Sequence, residues 1–342
     1  MFPNSRLFEE KPKIKLYKNQ TNEINLLKKK IKEGDYTYEE VDCEVCKNKE
    51  KTIISKFDRY GLPYVSNLCK TCGLIYTSPR FNQKSYIKFY DSQYRKMYTS
   101  FPLQQTKEDF FKSQVTRGKK VFDFILKNNP DKNIGSVLDV GCGMGGLLVP
   151  FKENNFDVYG VDYGSEYVEF GKSKNLNLSI GGIKDISKKF DVIIYSHVFE
   201  HILDLGSELY EIKKRLNKKG VLYIEVPGVL NLHNDYRNDL NRYFQNAHTY
   251  NYSLISLNNV LVSNGFELIN GNEKVETLFK ISNVTDSVTN DYDRLINEIK
   301  KLNFKNKIWV FSKAGVKNLL RHLLIKTGLY NITRKFYILI FS

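Results

Sequence analysis

The run Val137-Leu138-Asp139-Val140-Gly141-Cys142-Gly143-Met144-Gly145-Gly146 takes a short apolar segment into a glycine-rich turn and then into the apolar stretch Leu147-Leu148-Val149. Few arrangements accept such a run. A buried strand must lead to a turn where the backbone approaches a ligand, and the following helix then presents its N-terminus to the ligand's anionic end. From 134 to about 282 further short apolar runs alternate with helical stretches, at 158–161, 176–180, 192–195, 221–226, 266–269 and 275–281. That alternation predicts an α/β fold, a doubly wound, largely parallel sheet. Asn270-Gly271, between the last two runs, is a tight-hairpin signal, so the final strand is expected to return antiparallel.

Taken alone the glycine loop is ambiguous, because Gly141, Gly143 and Gly146 also satisfy the dinucleotide fingerprint G-x-G-x-x-G. Asp139 tilts the balance. Strands feeding a dinucleotide turn are normally apolar up to the first glycine, whereas a carboxylate here can face a cationic amino group of the ligand. The second strand ends at Asp162, 19 residues after Gly143, where a carboxylate can accept both hydroxyls of a ribose.

Four of the five cysteines fall as Cys43-x2-Cys46 and Cys69-x2-Cys72, with 22 residues between the pairs. This is metal-knuckle spacing. In a reducing compartment four thiolates so placed close a tetrahedral zinc site, and a closed four-sulfur site is structural because it keeps no open position for a substrate.

The length of 342 residues and a 41% hydrophobic content suggest about two domains with a real core and exclude wholesale disorder. No apolar run approaches the roughly 20 residues of a membrane span. The start, Met1-Phe2-Pro3-Asn4-Ser5-Arg6, runs into Glu9, Glu10 and scattered lysines rather than a cleavable apolar signal, so a cytoplasmic protein is expected. Five segments follow: a lysine-rich extension over 1–35 with a short helical pattern at Ile24, Leu27 and Ile31; a zinc-binding module over 36–80; an aromatic helical cap over 81–132; the sheet domain over 133–282; and a basic helical region over 283–342. The net charge of +15 would attract nucleic acid, anionic lipid or a phosphorylated substrate. Yet from 299 onward there are ten lysines and arginines and no acidic residue, so most of the excess belongs to the tail. Lys313, Lys317 and Arg321 recur at i, i+4, i+8, with Val310, Phe311, Leu320, Leu323 and Leu324 on other faces. That spacing fits an interfacial helix at the inner face of an anionic membrane, or, as the preferred reading, a helix that covers the sheet domain with its charges solvated.

From Val137 to roughly Ile281 the chain resembles the class I S-adenosylmethionine (SAM) methyltransferases. The likeness rests on the D-x-G-x-G-x-G loop, acidic Asp162, Phe190-Asp191-Val192-Ile193 entering the fourth strand, and Leu216-Asn217-Lys218-Lys219-Gly220-Val221-Leu222 entering the fifth. The resemblance implies a Rossmann-like strand order 3-2-1-4-5-7-6, SAM as methyl donor, Asp139, Gly141, Gly143 and Gly145 toward its methionine end, and Asp162 on its ribose. Where many members carry an acid against the adenine amine, this chain has Gly181-Gly182-Ile183, which leaves adenine to Ile183 and backbone groups. The order of zinc knuckle, Cys72-Gly73-Leu74-Ile75-Tyr76, Ser78-Pro79-Arg80, Tyr90 and Tyr94-Arg95 is similar to bacterial methyltransferases that modify sugars of antibiotics and surface polysaccharides. Sugar C-methyltransferases with this knuckle usually carry a further large C-terminal domain, so O-methylation is expected.

Four of the five histidines lie between 197 and 248. On a helical turn His197, Glu200 and His201 sit at i, i+3, i+4 and share a face. Three readings stay open: the trio braces a loop, supplies a general base for the acceptor hydroxyl, or holds a divalent cation, as the similar E-x-x-E-H of ubiquinone-pathway and small-RNA O-methyltransferases suggests. His248, in an aromatic-histidine segment that similar sugar and lipid methyltransferases share, is a second base or a brace at the start of a helix capped by Ser253. Tyr90 and Tyr94 either cover the donor or belong to the core. The expected protein is thus a SAM-dependent methyltransferase acting on a hydroxyl of a sugar or glycan intermediate in surface-polysaccharide or natural-product assembly. The alternatives are a sugar C-methyltransferase, and a nucleic-acid methyltransferase or zinc-ribbon binding module, which would need basic residues interleaved with aromatics around the pocket.

Overall fold

A computed structural model of the chain describes residues 6–98, 106–131, 134–232, 236–283 and 287–309. Its N-terminal part carries β1 (Tyr38–Glu39), β2 (Lys51–Phe57), β3 (Pro63–Cys69), β4 (Ile75–Thr77) and β5 (Arg80–Phe81). The sheet domain carries β6 (Ser136–Val140), β7 (Asp157–Asp162), β8 (Leu178–Ile180), β9 (Phe190–Ser196), β10 (Leu216–Glu225), β11 (Tyr250–Asn251), β12 (Phe266–Gly271) and β13 (Glu276–Ile281). Seven of these form one sheet in the order β8-β7-β6-β9-β10-β13-β12, and β13 runs antiparallel to both neighbours.

Alternation along the central strands explains why they read as continuous apolar runs. Val137, Val192, Ile194, Val221 and Tyr223 enter one core, and Leu138, Ile193, Tyr195, Leu222 and Ile224 enter the other. The first is covered by helix Lys107–Asn128 through Phe111, Val121 and Ile125, and the second by Leu205–Arg215 and Leu254–Val262 through Leu209, Ile212, Leu257 and Val260. A sheet buried on both faces has no polar side to display. Ser253 caps the last of these helices by accepting from Ser256 N–H.

The hairpin turn is displaced from its sequence signal. Asn270 and Gly271 lie inside β12, opposite Leu278 and Thr277, and the chain reverses over 272–275 instead. The Asn272 side chain accepts from Lys274 N–H at 2.9 Å, Val275 N–H returns to the Asn272 carbonyl at 2.8 Å, and Val275 takes a left-handed φ of 63°. That local Asx turn wins over the pair upstream.

The segments N-terminal to the sheet domain share its core. Cys43, Cys69, Cys72, Leu74 and Tyr76 pack in the cluster that includes Leu138 and Ile193, and β11 extends the β2-β3-β4 sheet by pairing Tyr250 with Tyr76 and Asn251 with Ile75. Within the expected extension, helix Lys18–Lys32 buries Ile24 and Leu27 among Tyr36, Phe81, Tyr86 and Phe89. After Asn82, which caps Gln83–Phe89, the helix passes through one π-helical stretch, Tyr90–Tyr94, before resuming as Arg95–Tyr98.

Helix Tyr292–Trp309 buries Leu295, Ile296 and Ile299 beside Leu7 and Ile54 and leaves Lys300 and Lys301 exposed. Lys313, Lys317 and Arg321, with Val310, Phe311, Leu320, Leu323 and Leu324, lie outside the described residues. Among the described residues no helix is long and apolar enough to cross a membrane.

Candidate functional site

β6 and β9 are parallel neighbours, with Val140 beside Tyr195, although two strands separate them in the chain. The strand order reverses there, and the ends of adjacent strands open a crevice. The glycine loop leaves β6 into it, the histidine segment leaves β9, and Glu225 ends β10 opposite Ser196.

Gly141, Gly143 and Gly145 take left-handed φ values of 71°, 57° and 73°. A Cβ on Gly141 would stand 2.4 Å from Val198 Cγ2, so the loop and the segment after β9 touch only because that position is glycine. Gly143 N–H donates to Asp162 Oδ2 at 2.9 Å and Gly164 N–H to Asp162 Oδ1 at 2.6 Å, which fixes the carboxylate beside the loop with lone pairs left for ribose hydroxyls. Asp139 is buried at the base of the loop. Burial pushes its carboxyl up to about 8, Arg117 opposes this, and Asp162 adds to it. Ile183 is buried in the sheet core, and Tyr163, 80% exposed, holds its hydroxyl over Gly182. A cradle closed to side chains, a poised diol acceptor and a buried carboxyl in want of a cation fit the methionine and ribose ends of SAM.

Sequence reasoning missed the brace behind the loop. Gln114 of helix Lys107–Asn128 donates to the Cys142 carbonyl at 3.2 Å and accepts from Gly146 N–H at 3.4 Å, and Gly118 lets that helix touch the Leu147 backbone. The domain boundary expected at 133 therefore separates the loop from the helix that holds it.

His197 does not share a helical turn with Glu200 and His201. It takes a left-handed φ of 59°, and only Phe199–His201 form a 3-10 turn. The His197 amide donates to the Glu225 carbonyl at 2.8 Å, continuing the ladder one residue past β9 and turning the side chain back. The cluster is centred on Glu200 all the same. Its Oε1 lies 3.8 Å from His197 Nδ1 and 3.9 Å from both His201 Nε2 and His248 Nε2. His248 arrives from a distant loop, because Thr249 donates through N–H and Oγ to the Glu200 carbonyl, at 2.9 and 3.1 Å.

The electrostatics differ at each member. Burial would raise the Glu200 pKa, but His197, His201 and His248 hold the carboxyl down at about 2, while its buried Oε2 has no hydrogen-bond partner among the described residues. Burial, reinforced by the His201 charge, drives the His248 pKa well below the ordinary value and keeps the ring neutral; Gln245 Nε2 packs against it. His197 is 41% exposed; burial works against its charged form, yet Glu200 and Glu225 outweigh it and raise the pKa. His201 Nδ1 lies 2.8 Å from both the Ala247 carbonyl and the Tyr90 hydroxyl. A proton on Nδ1 donated to that carbonyl leaves the Nε2 lone pair turned toward Glu200.

These four residues line a cavity of about 530 Å³, with Glu225, Tyr94, Tyr98, Arg59 and Gln245 in its walls. Tyr94 thus faces the cavity, and Tyr90 braces His201. Arg59, Glu225 and Gln245 were not singled out from sequence; Glu225 alone left a signal there, a carboxylate closing the apolar run 221–224.

The four cysteines converge. Sγ separations are 3.4 Å for Cys43–Cys72 and Cys46–Cys69 and 3.8 Å for Cys46–Cys72, too long for disulfides and close to the edge of about 3.8 Å that a tetrahedron with Zn–S bonds of about 2.3 Å requires. Gly73, at φ 75°, closes the second knuckle by donating to the Cys69 carbonyl, and a Cβ there would strike Asp291. The cluster can hold zinc.

Residues 111–270 match a family model described as a methyltransferase domain. The chain is similar to the ubiquinone biosynthesis O-methyltransferase of Pelagibacter ubique, 34% identical over 114 residues that cover 31% of this chain and 47% of that protein. It is similar to the same-named protein of Bartonella quintana, 31% identical over 104 residues covering 28% and 42%. The chain therefore matches less than half the length of either relative. A solved SAM-dependent methyltransferase from Archaeoglobus fulgidus aligns with a TM-score of 0.39 at 24% identity, over 57% of this chain and 90% of that one.

Proposed function

We propose that this chain, whose residues 111–270 match a family model described as a methyltransferase domain, transfers a methyl group from SAM to a hydroxyl of an acceptor held in the 530 Å³ cavity. The observation that carries the reading is the meeting of two halves at one reversal of strand order: the Gly141–Gly145 loop with Asp162, and the histidine cluster with its cavity. Asp162 would hold the ribose, Asp139 would face the amino group, and the loop backbone would take the methionine end. When bound, SAM supplies an electrophilic methyl group. The chain's own part is to orient the hydroxyl and take its proton. His201 Nε2 is the best-placed acceptor, since its other nitrogen is committed to Ala247, and Glu200 stabilises the imidazolium that forms. His197 is held toward its charged form and His248 is kept neutral by burial, so both serve better to shape and hold the site.

The acceptor is a sugar or glycan intermediate. Support comes from the polar walls of the cavity, with Glu200, Glu225, Gln245 and Arg59 among them, and from the zinc-knuckle and Ser78-Pro79-Arg80 pattern. A quinone ring, as the relatives' names suggest for them, would ask for apolar walls. O-methylation agrees with those names.

A second reading is favoured by one observation. Glu200, His201 and His248 offer ligand atoms within 4.8 Å of one another, and among the described residues Glu200 Oε2 has no partner, so the three could hold a divalent cation that orients the hydroxyl. Metal analysis of Cys72→Ser and Glu200→Gln proteins separates this site from the cysteines.

The test of the main reading is calorimetry and product identification. Asp162→Ala should lower SAM affinity at least tenfold, because charged hydrogen bonds are worth roughly 1.5–3 kcal/mol each. Labelled SAM with source-cell extract should mark a carbohydrate-bearing product. Tighter binding of NAD than of SAM would overturn the cofactor, and label confined to nucleic acid would overturn the acceptor.

A further inference from the structure

Arg59 stands in the turn between β2 and β3, far in sequence from the histidines, yet it lines their cavity. Its turn is locked to the loop that carries His248: Arg59 N–H donates to the Phe244 carbonyl at 2.9 Å, and buried Asp58 accepts from Tyr60, Leu62 and Asn246 amides at 2.8–3.1 Å. The guanidinium lies over the rings of Tyr60, at 4.9 Å, and Tyr98, at 5.4 Å. Such stacking fixes its plane and leaves its edge free.

The edge is under-used. Nη2 donates to the Tyr60 hydroxyl at 3.0 Å and Nη1 to the Arg242 carbonyl at 3.5 Å, which takes two of the five N–H donors. Among the described residues buried Nε has no partner and no carboxylate pairs with the group. The buried hydroxyl of Tyr98, a residue of the same wall, is also without a partner among the described residues. Of the other cationic side chains in the wall, Lys274 lies 4.0 Å from Glu276 and His197 lies 3.8 Å from Glu200 and 3.9 Å from Glu225, so among the described residues Arg59 is the cavity's one positive charge with no carboxylate paired to it. A permanent charge held flat beside idle donors matches a planar or tetrahedral oxyanion.

We propose that Arg59, with the Tyr98 hydroxyl, anchors an oxyanion carried by the acceptor, a phosphate or a carboxylate, while the acceptor's hydroxyl lies at the Glu200 end of the same cavity. The inference rests on the acceptor-cavity reading given above and narrows the substrate class to an anionic acceptor. It makes the turn after β2, in the zinc-bearing segment, a specificity element. The glycine loop is absent from this cavity's walls, so the SAM carboxylate is not the ligand meant.

Calorimetry on the full chain tests it, with pyrophosphate and succinate as probes and SAM titrated separately. Arg59→Gln should weaken binding of the preferred probe at least tenfold and leave SAM affinity within twofold; Arg59→Lys, with a charge but no fork, should fall between. Exposed Lys188→Gln controls for general attraction to a chain of charge +15 and should change nothing. Tighter binding of pyrophosphate assigns a phosphate, and of succinate a carboxylate. Should Arg59→Gln lose its fold, Tyr98→Phe keeps the ring and should still weaken the probe severalfold with unchanged melting. Equal probe affinity in wild type and a folded Arg59→Gln, binding of neither probe at millimolar concentration, or a loss of SAM affinity instead, overturns the proposal. Failure of the wild type to bind SAM would defeat the methyltransferase reading while leaving the anion result to stand or fall by itself.

Discussion

Glu200 Oε1 lies 3.9 Å from His248 Nε2, across a gap of 48 positions in the chain. With His201 Nε2 at the same distance, three acceptor atoms face one another too far apart for hydrogen bonds. Such a constellation is comfortable only with a positive charge beside it, the His197 ring 3.8 Å from the same oxygen or a cation between the three.

His201→Ala should lower turnover by about a hundred- to ten-thousand-fold, the range a positioned base supplies, with SAM affinity within twofold. Glu200→Gln should lose less, because it weakens only the stabilisation of the imidazolium. Steady-state kinetics beside calorimetry checks both. Turnover of His201→Ala within threefold of wild type would remove the histidine base, and loss restored by added cation would favour the metal.

Asp139 predicts a pH signature in binding. With its carboxyl pushed up to about 8, it is largely protonated in the free protein at pH 7. An ammonium beside it favours the ionised form, so SAM should release a proton on binding, and its affinity should rise from pH 6 to about 8 and then level off. Calorimetry in buffers of different ionisation enthalpy reads that proton directly. Asp139→Asn should abolish the release, and a flat affinity profile in wild type would contradict the assignment.

Gln114→Ala leaves the Gly146 amide without its partner, while the Cys142 carbonyl keeps only the Gly145 N–H at 2.9 Å. Unsatisfied buried groups cost about 1–3 kcal/mol, so melting should fall and SAM affinity should drop roughly three- to tenfold as the loop loosens. Unchanged values for both would show that the loop stands without its brace.

Purified protein should carry about one zinc per chain, and Cys72→Ser should lose it. Because Cys43, Cys69 and Cys72 pack in the same cluster as Leu138 and Ile193, the loss should lower the melting temperature of the whole fold rather than melt one module. Metal analysis and a single unfolding transition check this, and metal-free wild-type protein prepared without chelators would refute it.

What the sequence determined was local or periodic. Strands buried on both faces leave apolar runs, three left-handed glycines leave a recognisable spacing, and cysteines paired with two residues between them signal their chemistry without any fold. Asp139 and Asp162 were legible because strand ends fall at fixed distances from that loop. Tertiary structure decided everything that depends on which loops meet. His197 and His201 were found by a helical spacing they do not have; a left-handed residue and one short turn bring them to Glu200 instead. The hairpin moved from Asn270-Gly271 to 272–275 because a side chain two residues later accepts the better hydrogen bond. Arg59, Gln114 and Gln245 left no trace in any pattern, since a lone polar residue in a turn or on a helix acquires its role only from the partner that packing sets before it. Periodicity records burial, whereas the meeting of distant polar groups is recorded only in the packed core that holds them together.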